Sequence, residues 1–202
     1  MEPNLWVFEK KAREMGHQIV AGIDEAGRGP LAGPVVSAAV ILPESVDLPG
    51  IDDSKKLTPT QRNCLYDRLY LVARSIGIGV VDVAEIDRVN ILQGTLRSMQ
   101  MAVSNLCPTP DHLLIDGNFT IALECSQQAI VRGDAKSVSI AAASVVAKVT
   151  RDRMMAQADT LFPEFGFGKH KGYPTTSHKD AIVRFGCSPI HRKTFKGVRE
   201  YV

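Results

Sequence analysis

The sequence predicts an α/β fold, a mixed central sheet flanked by helices. Short apolar runs of strand length come early with brief connections, later runs alternate with stretches of helical character, and three of the runs end in carboxylates. Closely joined strands followed by strands separated by helices call for a mixed sheet with one antiparallel portion.

In chain order, a strand is expected near residues 18–24, closed by the turn Gly27-Arg28-Gly29, and another near 34–42. A polar loop then runs to Lys56. Thr58-Pro59 reads as a helix start, with Thr as N-cap and Pro at the first helical position, and the helix is expected to turn Cys64, Leu65, Leu69 and Val72 inward. A strand from Ser75 to Val83 and a helical region over about 84–106 lead to the apolar run His112-Leu113-Leu114-Ile115. The run Ala129-Ile130-Val131 is a further strand. After it, Ser137 caps a helix extending to about Leu161, whose Ala141, Ala142, Ala143 and Ala147 allow close packing on the sheet.

The chemistry is concentrated at the ends of three of these runs. Asp24 and Glu25 follow Ile19-Val20-Ala21, Asp116 follows the 112–115 run, and Asp134 follows the 129–131 run. Taken singly, each has an ordinary reading: Asp24-Glu25 as solvated turn polarity, Asp116 as a turn-former before Gly117, and Asp134 as an acid near a helix N-terminus. Strands that end at one edge of an α/β sheet bring their terminal residues together, with the ligand crevice outside them. The four carboxylates are therefore expected to form one acidic cluster. Carboxylate oxygens are hard ligands suited to Mg²⁺ or Mn²⁺, and crowded carboxylates repel one another unless a cation neutralises them.

Nearly the whole chain resembles bacterial ribonuclease HII, the type 2 ribonuclease H family. The resemblance rests on Ile23-Asp24-Glu25-Ala26-Gly27-Arg28-Gly29-Pro30-Leu31-Ala32-Gly33-Pro34, Asp53-Ser54-Lys55-Lys56-Leu57, Asp116-Gly117 and Lys136-Ser137-Val138-Ser139-Ile140-Ala141-Ala142-Ala143-Ser144. It continues through Ala147-Lys148-Val149-Thr150-Arg151-Asp152, His170-Lys171-Gly172-Tyr173-Pro174-Thr175 and His191-Arg192. Lys193-Thr194-Phe195 stands where the family more commonly has Arg-Ser-Phe, away from the acidic motif. The related ribonuclease HIII carries an additional N-terminal domain, whereas here the acidic motif begins after 23 residues, and type 1 enzymes lack the glycine-arginine-glycine motif after paired carboxylates.

The resemblance implies a ribonuclease H-like fold and an endonuclease acting on RNA-DNA hybrids and on DNA containing ribonucleotides, with 5′-phosphate and 3′-hydroxyl products. It implies that Asp24, Glu25, Asp116 and Asp134 hold two divalent ions, Mn²⁺ or Mg²⁺, about 3.5 to 4 Å apart, one activating water and the other stabilising the leaving oxygen. It assigns Gly27-Arg28-Gly29 to the ribose 2′-hydroxyl, which glycine backbone can approach closely, and Tyr173 to the nucleotide after the ribonucleotide. Without the family, Tyr173 reads as a partly buried aromatic. A hybrid-binding protein that does not cut is the alternative, against which stand all four carboxylates.

Further contacts are expected from residue type. Lys55, Lys56, Arg28, Lys148 and Arg192 are candidates for phosphates, with surface solvation as the plain alternative for each. Ser144, with Ser137 and Ser139, is within reach of backbone phosphates, although capping and packing explain these serines almost as well. His170, His178 and His191 are too scattered to imply a zinc site; contact of any of them with the phosphate backbone is one simple reading, and their individual roles are not readable in the sequence.

Composition bounds the reading: 202 residues at 45% hydrophobic content suit one domain. Residues 164–202 hold 8 Lys/Arg against 3 Asp/Glu, a basic, helical C-terminal segment beside an acidic site, as a polyanion substrate requires. No run approaches the roughly 20 apolar residues of a membrane span and the opening residues lack a signal pattern, so a cytoplasmic protein is expected. The sequence does not reveal oligomeric state, for which a monomer is the default. Docking to a replication partner is not readable in the sequence. Cys64, Cys107, Cys125 and Cys187 are too far apart for a metal knuckle and are expected as buried or partly buried thiols.

Overall fold

The computed structural model describes residues 4–46, 48–51 and 57–202. Lys55 and Lys56 lie outside the described residues. Five strands form one sheet: β1 (Val20–Ala26), β2 (Val35–Ile41), β3 (Ser75–Val81), β4 (His112–Asp116) and β5 (Ser126–Ile130), in the order β3-β2-β1-β4-β5. The pairs β1–β2 and β2–β3 are antiparallel, while β1–β4 and β4–β5 are parallel. β1 is thus the strand at which direction changes, and its C-terminal end lies beside that of β4.

Seven α-helices accompany the sheet among the described residues: α1 (Val7–Glu14), α2 (Pro59–Val72), α3 (Val83–Val89), α4 (Ile91–Ser104), α5 (Val138–Leu161), α6 (Phe167–His170) and α7 (Thr176–Phe185). α2 starts as expected, with the Thr58 side chain accepting the Gln61 amide and Gln61 reaching back to the Thr58 amide at 2.8 Å. Its buried positions are Leu65 and Leu69; Cys64 is exposed, because the helix turns toward the sheet the face that carries residues four apart. Cys107 is exposed too, so only Cys125 and Cys187 are partly buried as expected. The single helical region expected over about 84–106 is two helices. Asn90 divides them with φ +71° and caps the second through its side chain, which accepts the Gln93 amide at 3.1 Å.

α5 is the central helix. The Ser137 hydroxyl accepts the Ile140 amide at 3.2 Å and donates to the buried Glu9 carboxylate of α1, which also accepts the Ser139 amide at 3.0 Å. A carboxylate at a helix N-terminus complements both the free amides and the dipole. α5 crosses β1 so closely that a Cβ at Gly22 would overlap the Ser139 backbone. Ala142, Val145 and Val146 of α5 pack with Ala38, Val40, Leu65 and Leu69 on this face of the sheet. On the other face, Met99, Ala102 and Val103 of α4 meet Ala21, Ile23, Leu113 and Ile115. The C-terminal residues Phe165, Phe167, Ile182 and Val198 pack with Met155 of α5 and with Leu31 and Ala32 of the β1–β2 connection. No helix among the described residues is long and apolar enough to cross a membrane.

Candidate active site

β1 carries Asp24 and Glu25 toward its C-terminal end, and β4 ends at Asp116. The register Ile23↔Ile115 aligns the two strands so that Asp24 and Asp116 are the next residue along each. Asp24 is 4% exposed, and one of its oxygens accepts the Glu25 amide at 2.7 Å. Burial, then the charges of Glu25 and Asp116, hold its pKa well above the usual carboxylate value, while a hydrogen bond with Ser144 of α5 pulls the other way. Asp116 accepts the Gly133 amide at 2.6 Å, which ties β4 to the residue preceding Asp134. Asp134 is buried, in the short 3-10 turn Gly133–Ala135 rather than at a strand end, because Arg132 adopts a left-handed conformation at φ +56° and turns the chain after β5.

A cleft of about 240 Å³ opens beside Asp24 and Glu25. It is lined by Asp24, Glu25, Gly27, Arg28, Gly29, Ser144, Lys148 and Tyr173, residues from β1, the following loop, α5 and the segment after α6. Glu25 and Arg28 form an ion pair at 3.1 Å, and the same pair borders a second hollow of about 180 Å³ with Asp116, Asn118 and Phe119. A larger hollow, about 570 Å³ between β3 and α4, is lined by two carboxylates that are already engaged: Asp82 caps α3 by accepting the Glu85 amide, and Glu85 is paired with Arg88 and Arg97. Size therefore does not locate the chemistry; crowded carboxylates do.

The fit to divalent cations rests on that crowding. Burial and the neighbouring charges of Glu25 and Asp116 raise the cost of ionising Asp24, the condition a hard dication relieves. Among the described residues, no three His, Cys, Asp or Glu side chains meet closely enough to hold one ion as they stand. Asp24 is turned to the Glu25 amide, Asp116 to the Gly133 amide and Glu25 to Arg28.

The loop between β1 and β2 is held from beneath by two buried arginines. Gly27 has φ +99°, and a Cβ there would collide with the Arg151 side chain and approach the Pro34 carbonyl at 2.7 Å. Arg192, expected at a phosphate, is fully buried and donates instead to the carbonyls of Gly27, Arg28, Pro30 and Gly33. A planar guanidinium with five N–H groups suits a ring of loop carbonyls, and with all donors engaged none faces solvent. Arg151, which sequence reasoning passed over, donates to Pro34 at 3.0 Å, Ala32 at 3.1 Å and Lys171 at 3.0 Å. Its sequence signal is an arginine on the apolar side of α5, four residues after Ala147.

Lys148 lines the cleft but is paired with Asp152 at 2.6 Å, and burial lowers its pKa. Ser144 is buried against Asp24, Ser137 is the cap of α5, and Ser139 lies under β1. Tyr173 is 43% exposed at the cleft. The histidines do not reach outward to phosphates: His178 and His191 are buried with Nε2 atoms 3.0 Å apart, and His170 stacks on His178 at 4.4 Å. Phe165 and Phe167 pack around them, which explains their inward position.

Solved structures share this architecture. A ribonuclease H2 from Pyrococcus horikoshii OT3 superposes with a TM-score of 0.77 at 30% identity, over 91% of this chain and 97% of that one. The crystal structure of Bst-RNase HIII in complex with Mn²⁺ superposes with a TM-score of 0.66 at 19% identity, over 94% and 71%. Fold and acidic cleft together define a nuclease with a ribonuclease H-like fold. Residues 21–198 match the profile of the family described as Ribonuclease HII, and a ribonuclease HII of Geobacter sulfurreducens is 57% identical over 201 residues, covering 100% of this chain and 93% of its own. The chain belongs to the ribonuclease HII family.

Proposed function

We propose that this protein is a divalent-metal-dependent endonuclease that hydrolyses the RNA strand of RNA-DNA hybrids and incises DNA on the 5′ side of embedded ribonucleotides, leaving 5′-phosphate and 3′-hydroxyl ends. The observation that carries the reading is the crowding of Asp24 by Glu25 and Asp116, with Asp24 and Glu25 lining a cleft shared with Gly27-Arg28-Gly29 and Tyr173. Asp24, Glu25, Asp116 and Asp134 are the residues that would hold two Mg²⁺ or Mn²⁺ ions. Bound there, such ions supply an activated water and stabilisation of the departing 3′-oxygen.

The chain's own groups account for positioning. Ser144 and the Glu25 amide fix Asp24, and the Gly133 amide fixes Asp116. Arg28 is exposed beside Glu25, where a phosphate entering the cleft meets a cation. Backbone groups at Gly27 and Gly29 read the ribose 2′-hydroxyl, because no side chain stands between them and a sugar. Tyr173 packs on the nucleotide that follows. The basic segment 164–202 contributes to holding the duplex, and the protein works as one domain and as a monomer.

The test is cleavage of an end-labelled DNA duplex carrying one internal ribonucleotide, with Mg²⁺, Mn²⁺ or chelator. Metal-dependent incision on the 5′ side of the ribonucleotide is the expected result. Binding without incision under every metal condition would establish the non-cutting alternative.

A further inference from the structure

The backbone that carries Tyr173 is held from behind by imidazoles. His170 Nδ1 accepts the Gly172 amide at 3.2 Å, and its Nε2 lies 2.7 Å from the Phe165 carbonyl. His178 Nδ1 lies 2.9 Å from the Tyr173 carbonyl, and His178 Nε2 lies 3.0 Å from Nε2 of His191. His191 Nδ1 accepts the Ser188 amide at 2.9 Å, with the Ser188 hydroxyl 2.8 Å away.

One arrangement of protons satisfies all of these contacts. The Ser188 amide can only donate, so His191 Nδ1 is bare, and in a neutral ring its proton sits on Nε2. That proton is donated to His178 Nε2, which must be bare. His178 then carries its proton on Nδ1 and donates it to the Tyr173 carbonyl. The same reasoning puts the His170 proton on Nε2, facing Phe165. A second proton on His178 would set two N–H groups against each other, and one on His191 would face the Ser188 amide.

We infer that this chain of fixed tautomers, from Ser188 through His191 and His178 to the Tyr173 carbonyl, sets the place of the Tyr173 ring over the cleft, making His178 and His191 positioning residues for substrate discrimination. The inference rests on the proposed role of Tyr173. The ring lies against the loop it would work with, its Cε1 atom 3.6 Å from where a Gly29 Cβ would stand. The two loops are tied as well: the Leu31 amide donates to the Gly172 carbonyl at 2.8 Å, and the Arg192 amide, next to His191, donates to Leu31 at 2.8 Å. Burial lowers the pKa of both His178 and His191, the latter to about 4, in keeping with neutral rings.

Two substitutions at His178 separate positioning from bulk. Asparagine places its amide where Nδ1 sits and keeps the donor to Tyr173; glutamine reaches the Nε2 position and loses that donor. His178→Gln is expected to lower kcat/KM at a single embedded ribonucleotide about 10-fold relative to a continuous hybrid, in the direction of Tyr173→Ala, and His178→Asn to recover most of the loss. Nitrogen-15 NMR of the wild-type protein at neutral pH should show the proton of His178 on Nδ1 and those of His170 and His191 on Nε2. A His178 proton on Nε2 would overturn the inference. So would equal loss on both substrates in step with the melting temperature in both variants. If Tyr173→Ala moves the ratio and His178→Gln does not, the histidine inference alone fails; if Tyr173→Ala leaves the ratio unchanged, the reading of Tyr173 fails and the substrate role of the histidines with it.

Discussion

Asp116 shows how one side chain serves two opposed demands. Its charge raises the cost of ionising Asp24, which is unfavourable on its own, yet that same charge is what a dication would use. Replacing Asp116 with Asn removes the charge with almost no change in volume. Cleavage should fall at least about 100-fold, while the melting temperature in chelator stays level or rises, since a repulsion is removed and the Gly133 amide keeps an oxygen acceptor. Activity assays and thermal melts of the same preparation check both. The carboxylates were legible in the sequence because each follows an apolar run and residue type alone restricts their chemistry. Arg192 and His178 were not, since Lys, Arg and His in a basic tail read as surface groups until the fold shows what surrounds them.

At the scale of elements, the site depends on how tightly α5 lies across β1. Gly22 gives α5 room beside the strand that carries Asp24, and a methyl group there has no space against the Ser139 backbone. Gly22→Ala should therefore lower the free energy of unfolding by about 1–3 kcal/mol and reduce turnover, because moving α5 shifts Ser144 away from Asp24. Chemical denaturation and kcat measure the two effects; full stability with full activity would show that the helix can yield. Helix starts were readable, as Thr58 and Ser137 show, because a cap is a local hydrogen bond. The break at Asn90 and the turn at Asp134 were not, as each depends on a left-handed residue that no local periodicity announces.

For the whole molecule, the buried histidines set a pH dependence of stability. His191 titrates at about 4 in the folded protein against 6.5 ordinarily, and burial lowers His112 and His178 in the same direction. The unfolded chain then binds more protons between those values, so stability is full above about pH 6.5 and falls as pH drops toward 4. Asp24, whose pKa is raised, works the opposite way, holding its proton better when folded. Denaturation midpoints from pH 7 to 4 should fall overall, and His191→Gln should flatten the slope. The sheet topology was legible as mixed, but its order was not, because the pairing of β1 with β4 joins residues far apart in the chain. That pairing also governs when the proposed site is assembled during synthesis and folding. The β1-β2-β3 meander needs only neighbouring segments, whereas Val20 must wait for His112 and Asp116 for Gly133. A chain emerging from the ribosome thus displays Asp24 and Glu25 long before their partners exist, and on the proposed site a nuclease surrounded by RNA at its birth would stay inert until its second half has docked.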